Sequence, residues 1–216
     1  MNISENIQKY KKELGEEVTL VAISKTKPIS EILKAYETGQ RIFGENKIQE
    51  MTDKWEALPK DIKWHMVGNV QRNKVKYMAP YVNLVHTVDS LKLLKEIDKE
   101  AKKNKRSISC LLQIKIAEEE SKSGISADEA KEILNSEEFL KMQNVNVVGL
   151  MGMATFTEDM EQVKKEFQAL NSVFKEFKKD YPQLTTLSMG MSGDYKIAVD
   201  SGSNMVRIGS AIFGGR

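Results

Sequence analysis

The sequence predicts an α/β fold: a single (β/α)8 TIM-type barrel with an extra N-terminal helix, one domain over residues 1–216. Three observations carry this. Eight short β-type runs alternate with helical patterns along the whole chain. The length of 216 residues lies near the lower limit of about 200 for such barrels. The turn after the first strand reads Ser24-Lys25-Thr26-Lys27 rather than a Gly-rich dinucleotide turn, which disfavours an open doubly wound sheet.

Taken in order, Ile3, Ile7, Tyr10 and Leu14 recur at helical spacing ahead of the first strand. Strands are expected at Thr19–Ser24, Arg41–Gly44, Ile62–Val67, Leu84–Val88, Ile108–Ile116, Val145–Met151, Thr186–Met189 and Met205–Ile208, each but the last followed by a helix. After the fourth strand, Leu91, Leu94 and Ile97 mark a core-facing helix. The clearest helix is Glu158–Lys179, where Met160, Val163, Phe167, Leu170, Phe174 and Phe177 form an apolar stripe opposite a Lys/Glu face. There is no repeat, low-complexity tract or Pro/Gly/Ser linker to divide the chain.

Composition narrows the function. With 40% hydrophobic residues the chain can bury one sizeable core, and its net charge of +2, from 33 basic and 31 acidic residues, makes no strong field. No partnership with nucleic acid or membrane is expected. The lone cysteine, Cys110, sits in an apolar run and reads as a buried small hydrophobe in a reducing compartment, so neither a disulfide framework nor a metal site is expected. The amino terminus lacks a signal pattern and no apolar stretch reaches membrane-spanning length, which predicts a cytoplasmic protein; without a long exposed apolar stripe, a monomer is expected.

In a barrel of this kind, function gathers where the strands' carboxyl ends meet their loops. Val21-Ala22-Ile23-Ser24-Lys25 delivers a lysine to such an end, where partial desolvation favours the free amine that attacks a carbonyl. The same mouth receives Glu45 and Asn46 from strand two, His65 and Gly68-Asn69 from strand three, and His86 and Asp89 from strand four. Ser121–Gly124 follows strand five, and Met151-Gly152-Met153 ends strand six. After strands seven and eight come Ser188–Asp194 and Ile208-Gly209-Ser210-Ala211, small-residue loops whose amides suit a phosphate at the place barrels commonly bind one. Because strand eight closes onto strand one, an aldehyde carrying a phosphate would bridge both ends of the site. Pyridoxal 5′-phosphate is such a molecule: its aldehyde reaches Lys25, its phosphate rests on Ser192, Gly209 and Ser210, and Arg207 lies near its pyridine nitrogen. An aldolase-like enzyme joining a phosphorylated sugar to a lysine remains the other reading of the same loops.

At this point the chain resembles the pyridoxal phosphate homeostasis protein family, a small cofactor-binding barrel similar to the amino-terminal domain of alanine racemase. The motifs are Val21–Pro28, Phe43-Gly44-Glu45-Asn46 with Gln49 and Glu50, and Trp64–Gly68 with Gln71, Asn73 and Lys74, followed by Ser121–Gly124, Gly149–Met151, Leu187–Ser192 and Gly202–Gly214. They cover essentially the whole chain in one order. The resemblance implies that Lys25 carries the cofactor as a Schiff base, that Arg207 faces the pyridine nitrogen, that Ser192, Gly209 and Ser210 hold the phosphate, and that Asn46 and His65 line the pocket. Ser210 stands where the family usually has threonine, and Asn69 where it usually has proline.

The resemblance also bears on catalysis. Alanine racemases have a further β domain that supplies a tyrosine as a second acid/base. This sequence ends at Phe213-Gly214-Gly215-Arg216, just after the phosphate loop. Racemisation needs a base on each face of the α-carbon, and Lys25 serves one; the candidates for the other are His65, His86, Lys122 and Tyr195. The expectation is therefore no catalytic residue and a homeostasis role, holding the cofactor and delivering it transiently to apo-enzymes. The alternative is an amino-acid racemase of low activity.

Overall fold

The computed structural model describes residues 2–117 and 123–215. Eight parallel strands close into a barrel in chain order: β1 (Thr19–Ile23), β2 (Ile42–Glu45), β3 (Lys63–Met66), β4 (Leu84–Val88), β5 (Ile108–Gln113), β6 (Val145–Met151), β7 (Thr186–Met191) and β8 (Met205–Ile208). Closure comes from β8 pairing β1, with Val21 in register with Arg207 and Ala22 with Ile208. Around the barrel lie α1 (Ile3–Leu14), α2 (Ile29–Glu37), α3 (Ile48–Ala57), α4 (Val75–Met78), α5 (Leu91–Lys103), α6 (Ala127–Asn135), α7 (Glu137–Leu140), α8 (Met160–Asp180), α9 (Tyr195–Asp200) and α10 (Ser210–Phe213).

Strand periodicity of two decides which side chains face the helices and which fill the barrel. On β1, Leu20 and Ala22 join the large core between sheet and helices, while Val21 joins a smaller interior cluster with Leu84, Leu111, Met151 and Met205. On β8, Val206 and Ile208 face outward, so Arg207 shares the inner face with Met205. The interior therefore has an apolar layer from these five residues, with Arg207 set one step nearer the carboxyl-end mouth. On β2, Phe43 packs outward and Glu45, two positions on, also leaves the barrel interior.

The helices end on the expected chemistry. Ser90 caps α5 by accepting from the Leu93 amide, Ser126 and Glu129 form a capping box on α6, and Asp159 accepts from the Glu161 and Gln162 amides of α8. The α8 stripe buries Val163, Phe167, Leu170, Phe174 and Phe177, whereas Met160, expected in the same stripe, is exposed at the first helical position, beyond the reach of the barrel wall.

Several boundaries differ from the sequence reading. β5 ends at Gln113 rather than Ile116, because Ile114 turns away to bridge Ile125 and the Lys115 amide donates to the Ile125 carbonyl. β7 runs on to Met191, and the last strand, expected to lack a helix, is followed by α10. β2 includes Glu45, which was expected just beyond it. Among the described residues no helix is long and apolar enough to cross a membrane, and no cluster of His, Cys, Asp or Glu could hold a metal ion.

Candidate functional site

At the carboxyl end of the barrel a cavity of about 430 Å³ opens between the loops after β1, β2, β3, β6, β7 and β8. Lys25, Asn46, Ser192, Arg207, Gly209 and Ser210 all line it, so six of the seven residues expected in the site meet in one place. Its size falls within the few hundred cubic ångströms usual for cofactor sites. Another depression, of about 540 Å³, lies against Lys11, Thr19 and Arg41 at the barrel's amino end, the face that carries stability rather than chemistry.

The strand closure explains the meeting. Lys25 and Thr26 form the turn beyond β1, and Gly209 follows β8, its neighbour. At Gly209 a Cβ would sit 3.1 Å from the Ile23 Cβ and 3.2 Å from the Ile23 carbonyl oxygen, so a glycine lets the two chain segments close up. The Gly209 amide donates to Ser192 Oγ at 3.3 Å, tying the β7 loop to the β8 loop. The amides opening α10 have no intrahelical acceptor, as at any helix start. Lys27 closes the other side, its ammonium donating to the Phe213 and Gly215 carbonyls at 3.0 Å each.

Arg207 is buried and well partnered. It donates to the Ser188 carbonyl at 3.0 Å, to Ser188 Oγ at 2.7 Å and to the Gly152 carbonyl at 3.0 Å. Burial pulls its pKa down to about 10, against the nearby charge of Asp194, so the guanidinium stays protonated at neutral pH. From Ser188 the polar chain continues inward: His86 Nδ1 lies 3.1 Å from Ser188 Oγ, and His86 Nε2 lies 3.0 Å from His65 Nδ1. Arginine can only donate, so Ser188 Oγ accepts from it and can pass its own proton toward His86 Nδ1. Burial holds both histidines neutral, taking His65 down to about 3 and displacing His86 strongly in the same direction.

His65, the seventh expected residue, is thus a buried member of the chain behind Arg207 and is not among the cavity's lining residues. A neutral imidazole buried without a partner is costly, and the bond between the two rings, with Ser188 Oγ beyond His86, meets that demand in part. Of the other residues expected at the mouth, Met153 lines the cavity. Asn69 and Asp89 line an adjoining depression of about 470 Å³ that shares Asn46 with it. Glu45 points away, toward Lys54 on α3. Gly68 lies so close to Asn46 that a Cβ would come within 2.2 Å of the Asn46 carbonyl oxygen. Ser121 and Lys122 lie outside the described residues. Tyr195 points its hydroxyl at Glu13 of α1, 2.5 Å away; burial first, and then this bond, raises its pKa.

Sequence reasoning placed Ser188 and Gly152 near the mouth without their role toward Arg207, and it missed Lys54. Ser188 and the Gly152 carbonyl anchor Arg207, and Lys54 lies buried behind the β1 turn. The only visible trace of the last is the four-residue spacing of Glu50 and Lys54 on one helix.

The donor set suits a particular ligand chemistry. The ionisable groups among the lining residues are Lys25, Lys27 and Arg207, all basic, which favours an anion such as a phosphate monoester. Ser192, Ser210 and the Gly209 region add hydroxyls and small-residue backbone at one end, and Lys25 adds an amine. Pyridoxal 5′-phosphate, with an aldehyde, a phosphate and a ring nitrogen, fits this set.

Comparison with known proteins gives a consistent family. The model of the alanine racemase N-terminal domain matches residues 1–216. The pyridoxal phosphate homeostasis protein of Vibrio alginolyticus is 38% identical over 206 residues, covering 93% of this chain and 88% of that protein. The structure of PipY of Synechococcus elongatus PCC7942 with PLP bound superposes with a TM-score of 0.89 at 32% identity, covering 98% of this chain and 100% of that one. Alanine racemase from E. faecalis shares the fold, with a TM-score of 0.76 at 18% identity over 100% of this chain and 58% of its own.

Proposed function

The chain belongs to the alanine racemase N-terminal domain family, and from that premise we propose that it binds pyridoxal 5′-phosphate through Lys25 and serves the homeostasis of that cofactor. The observation that carries the reading is the convergence of Lys25, Arg207, Ser192, Gly209 and Ser210 on one cationic cavity. The relatives named as pyridoxal phosphate homeostasis proteins, and PipY with PLP bound, support it.

When bound, pyridoxal 5′-phosphate supplies an electrophilic aldehyde and a protonatable ring. In this reading Lys25 would hold the group through its amine, as a reversible Schiff base whose formation would release one water. Ser192, Ser210 and the Gly209 region receive the phosphate, and the Lys27 charge lies on the same rim. Arg207 directs donors toward the ring nitrogen; being permanently protonated, it donates without giving up its proton. Asn46 lines the ring's side, and His65 acts through His86 and Ser188 to hold Arg207 in place rather than touching the cofactor.

A carrier rather than an enzyme is favoured by the second acid/base candidates. Tyr195 is committed to Glu13, and the two histidines are neutral and committed to each other. Among the described residues, these three candidates are therefore engaged away from the cavity face opposite Lys25, and the fourth, Lys122, lies outside the described residues. We read residues 1–216 as one monomeric cofactor-binding domain of the cytoplasm, where the buried Cys110 stays a thiol, and from which the cofactor passes transiently to apo-enzymes. Equilibrium binding of pyridoxal 5′-phosphate and of phosphate-free pyridoxal tests the assignment: the phosphate ester should bind at least about tenfold more tightly, and equal affinities would refute the phosphate cradle.

A further inference from the structure

Lys25 is flanked by two backbone groups that a single helix grips from behind. The Ser24 carbonyl accepts from Lys54 Nζ at 2.7 Å, and the Thr26 amide donates to Glu50 Oε1 at 2.5 Å. Lys54 and Glu50 are four apart on α3 and bonded to each other at 2.7 Å. The third Lys54 donor goes to Glu45 Oε1, also at 2.7 Å, and Glu45 accepts in addition from Ser24 Oγ at 2.6 Å. All three protons of the ammonium are therefore used, and its side chain is 7% exposed.

The turn these residues hold is one the chain would not adopt by preference. Thr26 has φ of 64°, a left-handed conformation that is a genuine outlier for a β-branched residue. Such strain persists only where surrounding contacts over-determine it, and it clusters at functional sites. Here the carboxylate of Glu50 takes the Thr26 amide, and that carboxylate is itself held by a buried ammonium. Released, Thr26 would relax toward negative φ, rotating the 25–26 peptide and swinging the Lys25 side chain.

We propose that Glu50 and Lys54 are positioning residues that clamp the backbone on both sides of Lys25 and so aim its amine into the cavity. The inference rests on Lys25 being the amine that joins the cofactor, and adds residues that touch neither cofactor nor cavity: neither Glu50 nor Lys54 is among the cavity's lining residues. Glu45 serves as the buried counter-charge that keeps Lys54 in place. Burial pushes its pKa up, and Lys54 and Ser24 offset that rise only in part.

The test compares Lys25 chemistry with plain binding. Full-length wild type, Glu50→Ala, Glu50→Gln and the double variant Glu50→Ala/Thr26→Gly are mixed with pyridoxal 5′-phosphate, quenched with borohydride over time, and the Lys25 adduct is quantified by peptide mass. Binding of pyridoxine 5′-phosphate, which has an alcohol in place of the aldehyde, is measured in parallel, together with thermal stability. Glu50→Ala should slow adduct formation about tenfold or more, since a misplacement of about 1 Å can cost that much, while pyridoxine 5′-phosphate binds as before. Glu50→Gln, which keeps an acceptor for the Thr26 amide, should lie between wild type and Glu50→Ala. Thr26→Gly should restore part of the loss, because glycine adopts the left-handed turn without strain. An unchanged adduct rate in Glu50→Ala, a parallel loss of pyridoxine 5′-phosphate affinity, or no rescue by glycine would overturn the clamp while leaving the cofactor assignment intact. Absence of a Lys25 adduct in the wild type would overturn both.

Discussion

Lys25 and Arg207 reach one cavity from the two strands that close the barrel: Arg207 is in register with Val21 of β1, and Lys25 stands on the turn at the end of the same strand. Arg207 owes its position to Ser188 and the Gly152 carbonyl. Removing the guanidinium in Arg207→Ala leaves buried acceptors without donors, so the cofactor-free protein should lose about 2–4 kcal/mol of stability. Arg207→Lys keeps the charge without the fork and should lose less. Urea unfolding of both variants measures this; a loss well under 1 kcal/mol would show that the three bonds matter little.

Ser192 accepts the Gly209 amide and so joins the two loops read as the phosphate cradle. Ser192→Ala should weaken pyridoxal 5′-phosphate binding about 5- to 30-fold, the equivalent of about one lost bond to a charged group, with pyridoxal affinity little changed. Titration calorimetry with both ligands checks it. An equal loss for both would assign Ser192 to the shape of the pocket and not to the phosphate.

The buried histidines give the fold an acid limit. Burial first, then the Lys63 charge, holds His65 at about 3, while an unfolded histidine has its ordinary value of 6.5. Between those values the unfolded chain binds the extra proton, so stability falls as pH falls, by about 1.4 kcal/mol per pH unit for each histidine so held. His86 is displaced in the same direction. Denaturant midpoints should drop steadily from about pH 6.5 downward, and His86→Asn should flatten the slope. A flat wild-type profile would mean that the pair is charged in the folded protein.

Gly149 makes the β6–β7 contact possible, since a Cβ there would lie 1.8 Å from the Thr186 carbonyl oxygen. Backbone cannot yield that distance without breaking the pairing. Gly149→Ala should cost about 3 kcal/mol or more, or prevent folding, and circular dichroism melting reads it directly.

If the protein is a carrier, the loaded form should exchange the α-hydrogen of alanine for deuterium no faster than the free cofactor does. Mass spectrometry of the amino acid after incubation in heavy water measures this. Exchange far above the free-cofactor rate would favour the racemase reading instead.

Much of this was legible in the amino acids. β4, β6 and β8 fall at the expected positions because their apolar runs are bounded sharply by turn residues, and Lys25 and the two small-residue loops follow from strand order alone. β5 was overextended because Ile114 and Ile116 are apolar for another reason, the first bridging Ile125 and both packing with the outer core. Lys54 reads as one more charge on a solvated helix face until β2 turns Glu45 outward beneath it, a direction decided by tertiary pairing. His65 matched a pocket motif, yet its ring is committed to His86, a contact between residues 21 apart that no local pattern announces.

In the proposed reading everything turns on Lys25 being the amine that takes the cofactor. Absorbance of the protein with added pyridoxal 5′-phosphate, before and after borohydride, followed by peptide mass mapping, tests it most directly. A yellow band that borohydride removes, and one pyridoxyl adduct on Lys25, are the expected result. No band, or adducts scattered over several lysines, would contradict it and return the aldolase-like phosphosugar reading to the front.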